Sequence, residues 1–152
     1  MKAIREAAAA RLASGERTGK ELLDYLAKKG YDRSEARELV EEFRELGYID
    51  EERYASLFMS YAAGKGWGSG RIKAELAKRG VDPSLIGEAL EEALETGSLE
   101  NDAERALSVA RKMTDPGAVP DERTKARIAR RLAGYGYRTS VIYDTLRKLE
   151  QL

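Results

Sequence analysis

A chain of 152 residues, 42% apolar and 36% charged, is long enough for one compact domain or several small helical units, and it is too apolar for a disordered polymer. It has no cysteine, which excludes disulfides and thiol chemistry, and no histidine, which removes the commonest general base. No stretch approaches the ~18 consecutive apolar residues of a membrane span. We therefore expect a cytoplasmic protein without membrane contact, with no enzymatic activity, cofactor or metal.

The predicted elements are all helices, and they follow one another in groups of three. Thr18 and Glu21 have the spacing of a capping box, Asp32 is placed to cap a second helix, and Asp82 precedes a proline suited to a first helical turn. The longest break is the Pro- and Gly-containing segment 114–120. The patterns predict helices at residues 2–14, 19–29, 33–46, 51–64, 69–79, 83–96, 100–113, 122–134 and 139–151.

The grouping reflects an internal repeat aligned on Gly30, Gly80 and Gly136. Apolar residues lie eight and four positions before each glycine and six and ten positions after it, on helical faces, while the glycine suits a left-handed helix end. The sequence therefore predicts an all-α fold of three tandem three-helix repeats, at 1–50, 51–99 and 100–152. A single unit of this size is marginal alone, so we expect the repeats to stack through a shared core into an elongated, curved array.

A glycine-rich corner surrounds the only tryptophan, Trp67, in the middle repeat. The spacing of Gly64, Gly66, Gly68 and Gly70 matches neither a Walker loop nor a dinucleotide fingerprint, which argues against a phosphate loop. Two interpretations remain: the indole packs against the adjoining helices, or it is exposed to a partner beside Lys65, Arg71 and Lys73. For the tyrosines we expect core packing, at Tyr31, Tyr54, Tyr61 and Tyr137.

Residues 47–55, GYIDEERYA, and 64–81, GKGWGSGRIKAELAKRGV, resemble the RecX family, regulators of the bacterial recombinase RecA. The resemblance extends over essentially the whole chain. It implies a partner, the RecA filament on single-stranded DNA, with inhibition of its ATPase, strand-exchange and co-protease activities in homologous recombination and the SOS response. It also implies weak or indirect contact with single-stranded DNA. One departure from the family pattern is segment 54–63, which carries no charge.

Net charge is zero, with 27 basic and 27 acidic residues, but residues 101–152 hold 11 basic against 7 acidic side chains, a net +4. Acidic neighbours accompany some of the cations, such as Glu75 near Arg71 and Asp121 near Lys125, as on an ordinary solvated helix face. The alternative function is a helical-repeat protein that binds DNA directly through its basic third repeat. We expect a monomer. The candidate partner- or DNA-binding residues are Lys65, Trp67, Arg71, Lys73, Lys78, Arg79, Lys125, Arg127, Arg130, Arg131 and Arg138.

Overall fold

The computed structural model describes residues 2–151, and that part of the chain contains nine α-helices and no strand. Their bounds lie within two residues of the prediction, and the all-α fold of three successive three-helix units is confirmed. The helices are α1 Lys2–Ala13, α2 Gly19–Lys28, α3 Arg33–Glu45, α4 Glu51–Lys65, α5 Ser69–Lys78, α6 Pro83–Thr96, α7 Asp102–Arg111, α8 Glu122–Gly134 and α9 Thr139–Glu150.

Local signals in the sequence set most of these boundaries. Thr18 and Glu21 form the predicted capping box at the start of α2, and the Asp32 carboxylate accepts from the Glu35 amide at the start of α3. Helix α7 begins at Asp102, later than predicted, because the Asn101 side chain caps it by accepting from the backbone N–H of Glu104. The three repeat glycines all have positive φ, between 86° and 95°, as a left-handed helix end requires.

Each three-helix unit has its own hydrophobic core, so the expectation of one shared core is wrong. The first is built around Leu22 and Leu26, the second around Ile72 and Leu76, and the third around Ile128 and Leu132. Of the residues packed on these cores, Tyr135 touches both the second and the third. The residue limits 1–50, 51–99 and 100–152 stay a prediction, and their outermost residues, 1 and 152, lie outside the described part.

The middle helices of the three units are joined end to end. The Thr18 hydroxyl at the start of α2 donates to the Arg79 carbonyl at the end of α5, at 2.6 Å. The Gly68 amide at the start of α5 donates in the same way to the Tyr135 carbonyl at the end of α8, at 2.8 Å. The positive N-terminus of one helix therefore meets the negative C-terminus of the next, which is the favourable arrangement of helix dipoles.

Candidate partner-binding surface

The glycine-rich corner of the middle repeat is a joint between the second and third units. Besides the bond from Gly68 to Tyr135, the Tyr137 hydroxyl donates to the Gly66 carbonyl at 2.6 Å. A Cβ at Gly70 would stand 2.6 Å from the Gly136 carbonyl oxygen. The missing side chains allow two backbones to touch, so these glycines hold the repeats together and leave no loop for a phosphate.

Trp67 belongs to the core of the middle unit. Its side chain is 7% exposed, and its ring packs against Phe58 at 6.1 Å and edge-on against Tyr61 at 5.7 Å between centroids. Its carbonyl accepts from Arg105 Nε at 3.0 Å. The interpretation of an exposed indole is therefore wrong, and Trp67 is not available as a partner contact.

The tyrosines divide between core and surface. Tyr137 is buried, and Tyr31 and Tyr54 are half-buried against the cores of their units, as predicted. Tyr61 is 50% exposed, so its assignment to the core is wrong. It lies on the outer side of α4, where one side of the ring covers Trp67 and the Lys65 ammonium lies 5.5 Å from the ring centroid.

Two of the predicted cations of α5 and its C-cap are engaged inside the protein. Arg71 lies 4.3 Å from the Trp67 ring centroid and donates to the Gly134 carbonyl of the third unit at 3.1 Å. Arg79 forms a 2.7 Å ion pair with Glu75 and lies over the Phe58 ring. Both arginines are half-buried. The structure thus makes them structural contacts, whereas Lys73 and Lys78 are exposed.

The predicted cations of the third unit also divide into two groups. Lys125 pairs with Glu122 and Glu150, and these hydrogen bonds raise the pKa of its ammonium group. Asp121, its acidic neighbour in the sequence, forms no pair with it, because that carboxylate caps α8 by accepting from the Thr124 amide at 2.8 Å. The remaining four side chains are exposed and form no ion pair within residues 2–151: Arg127, Arg130, Arg131 and Arg138.

Arg105 and Asp102, which the sequence did not single out, hold the joint between the second and third units. Asp102 accepts from the Ser69 amide at 3.2 Å and the Ser69 hydroxyl at 2.7 Å, while Arg105 Nη2 donates to it at 2.7 Å. Arg105 is only 5% exposed. The one available signal was an arginine beside Ala106 on the apolar face of α7, which resembles an ordinary charged helix position.

The joint between the first and second units has the same arrangement, in which a carboxylate accepts from a helix N-terminal amide and from an arginine. Glu51, the first residue of α4, accepts from the Gly19 amide at 3.0 Å and from Arg44 Nη2 at 2.9 Å. Burial alone would raise the pKa of Glu51, but the bonds from Arg44 and Gly19 outweigh it, and the pKa lies below its usual value. In both joints a carboxylate on the first residue of a unit's first helix caps the middle helix of the preceding unit.

Seven of the predicted cations remain exposed and available to a partner. Lys65, Lys73 and Lys78 join the four free arginines of the third unit, and none of these seven forms an ion pair in the described part of the chain. Within residues 2–151 no acidic cluster could hold a metal ion. No helix there is long and apolar enough to cross a bilayer.

The fold and this surface define the chain as a helical-repeat protein built from three-helix units. The family model for RecX, second three-helix domain, matches residues 50–90. The Regulatory protein RecX of Trichlorobacter lovleyi is 34% identical over 127 residues, which cover 81% of this chain and 80% of that protein. The chain belongs to the RecX family.

Two further comparisons agree with this assignment. The Regulatory protein RecX of Halorhodospira halophila is 40% identical over 91 residues, covering 60% of this chain and 56% of that protein. The chain thus spans little more than half of that relative. The crystal structure of RecX from Lactobacillus salivarius superposes with a TM-score of 0.78 over 99% of this chain and 97% of that one. At 21% identity, this last likeness shows the fold alone.

Proposed function

We propose that this protein is a non-enzymatic, cytoplasmic regulator that binds the RecA filament on single-stranded DNA and inhibits its ATPase, strand-exchange and co-protease activities. Membership of the RecX family carries the proposal, since the matched relatives are named regulatory proteins. The three-unit fold supports it, because a row of small cores exposes much surface to a large partner. The protein acts as a monomer.

The exposed cations of α5 and α8 are the proposed contacts with the filament. Lys73 and Lys78 extend from α5, and Arg127 and Arg130 from α8, the helix joined to it end to end. Cations on successive helices suit an extended acidic surface or the phosphates of enclosed DNA, where complementary charge speeds association. Contact with single-stranded DNA is weak or indirect in this proposal.

The test is RecA ATPase on single-stranded DNA during titration with the protein. The parent should inhibit, and Lys73→Ala with Lys78→Ala, or Arg127→Ala with Arg130→Ala, should each raise the inhibitory concentration several-fold. Arg71→Ala would be a poor probe, because it also removes a bond between units. Arg33→Ala with Arg37→Ala, two exposed cations of α3, is the charge-matched control. Absence of inhibition by folded parent protein would refute the proposal.

Direct binding to DNA by the third unit is a second candidate. The observation that favours it is the run of exposed, unpaired arginines on α8, at positions 127, 130 and 131. Affinity for naked single-stranded DNA should then fall steeply with salt, and each arginine replaced by alanine should reduce the slope by about one. Binding that is flat with salt would remove this candidate and leave the regulator proposal unchanged.

A further inference from the structure

A groove of about 500 Å³ lies between the second and third units, beside the glycine-rich corner. The C-terminal ends of α4, α7 and α8 converge on it, each with its own cation: Lys65, Lys112 and Arg131. All three side chains are exposed, and none forms an ion pair within residues 2–151. Their convergence gives the groove three available cations.

The charge of the groove remains positive after its other groups are considered. Arg105 also lines it, but Asp102 neutralises that guanidinium. Glu100 is the single carboxylate among the lining residues. The C-terminus of α6, at Gly97, also lines the groove. Each helix C-terminus carries about half a negative charge, and that of α8 is offset by the Gly68 amide bound to it. The three cations therefore exceed the other three helix ends and Glu100 by a small margin. The groove is therefore suited to an anionic ligand.

The lining also offers features that suit a peptide. The carbonyls of Gly64 and Lys65, in the last turn of α4, accept no hydrogen bond from the described residues, so they can accept amide N–H groups. Ala63, Val109 and Met113 supply an apolar portion for a side chain. The one lining aromatic, Tyr135, packs on two cores and lies beneath Arg131, which leaves no free platform for a base.

We propose that this groove binds an extended, acidic segment of a protein partner, with carboxylates at Lys65, Lys112 and Arg131 and a main chain that donates to the end of α4. Between its acidic residues the segment carries apolar residues, and these apolar side chains contact Val109 and Met113. The inference stands on the groove alone and is tested without recombinase, so its failure leaves the proposed function unaffected.

The experiment is a titration of isotope-labelled protein with the peptide acetyl-Glu-Leu-Glu-Glu-Leu-Glu-amide, followed by amide NMR shifts. We expect the largest shifts at the amides of residues that line the groove: Gly64, Gly66, Gly97, Ser98 and Ser108. The glutamine version of the peptide and a hexathymidylate are the comparison ligands. Lys65→Gln with Lys112→Gln should weaken binding of the acidic peptide about 3- to 10-fold, whereas Arg33→Gln with Arg37→Gln, two exposed cations of α3 in the first unit, should not.

Three outcomes would overturn the inference. One is the absence of shifts at millimolar peptide, and another is a set of shifts confined to the outer face of α8. The third is tighter binding of the oligonucleotide than of the peptide at the groove glycines, which would assign the groove to nucleic acid. Loss of binding in the double lysine variant, with an unchanged spectrum elsewhere, would support it.

Discussion

The two joints of this protein have the same plan but different degrees of burial. Each places an acidic residue of one unit at the N-terminus of the preceding middle helix and pairs it with an arginine. The difference lies in the arginines: the Arg44 side chain at the first joint is 38% exposed and that of Arg105 at the second is 5% exposed, whereas the carboxylates, Glu51 at 10% and Asp102 at 22%, differ less and in the opposite direction. Ion pairs in water contribute about 0–1 kcal/mol, while breaking a buried pair costs about 3–5 kcal/mol.

The comparison teaches that burial, rather than the hydrogen-bond pattern, decides how firmly two units are held. Around the second joint, Trp67, Tyr135 and Tyr137 exclude water and the glycines let the backbones touch. At the first joint Thr18 and Lys20 donate to carbonyls of the next unit, and the Lys20 bond is exposed. We therefore expect the second and third units to behave as a pair and the first to detach more easily.

The largest expected effect comes from removing each arginine in turn. Arg105→Met should lower the free energy of unfolding by about 3–5 kcal/mol, because it removes a buried guanidinium that donates to the Trp67 and Glu100 carbonyls as well as to Asp102. Arg44→Met should cost about 1 kcal/mol or less. Urea unfolding followed by circular dichroism measures both, and Trp67 fluorescence reports on the second joint. Equal losses in the two variants would show that burial does not distinguish the joints.

The next effect concerns the backbone contact at the second joint. Gly136→Ala would place a Cβ against the backbone nitrogen of Arg71, while Gly47→Ala, at a similar φ of 81°, would meet nothing within 4 Å. Because alanine is strained at a positive φ, both substitutions should lower the free energy of unfolding by about 1–2 kcal/mol. The collision should add roughly 1–3 kcal/mol to Gly136→Ala alone. Thermal unfolding of the matched pair checks this, and identical melting temperatures would contradict a close joint.

Alkali should open the second joint before the first. Burial raises the pKa of Tyr137 to about 12, above the usual value near 10. Its contribution, roughly 3 kcal/mol at most, is complete below pH 10 and is lost as the pH rises through 12. Trp67 fluorescence should therefore change between these values, and Tyr137→Phe should remove that step. If the fluorescence step persisted in the Tyr137→Phe variant, it would belong to the ionisation of another group.

Acid should have the smallest effect, and it should act on the first joint. The pKa of Glu51 is lowered, so its contribution is present above its usual pKa and is lost as the pH falls through the lower folded value. Amide exchange of residues 19–22 should increase below about pH 4. Glu51→Gln should cost about 1 kcal/mol at neutral pH and flatten this dependence. Unchanged exchange in acid would contradict the role of Glu51.

The sequence predicted structural features that depend on neighbouring residues, such as helix ends, better than contacts between residues that are far apart in the chain. Thr18, Asp32 and the three repeat glycines predicted helix ends because their effects act within a few positions. The roles of Arg105 and Arg71 depend on contacts with residues 38 and 63 positions away, which no local pattern records. The separate cores were missed for the same reason. The repeat pattern predicts which residues of a unit are apolar, but not which residues of the neighbouring unit they contact.

The end-to-end contact of α2, α5 and α8 gives the protein a direction. Every joint requires a donor at one end of a unit and a free carbonyl at the other, so units can be added in one orientation only. Lys28 and Lys29 at the C-terminus of α2, and Asp121 and Glu122 at the N-terminus of α8, have the charges that stabilise those helix ends. The array is thus modular and polar, because the donor and the acceptor stand in the same order at both joints.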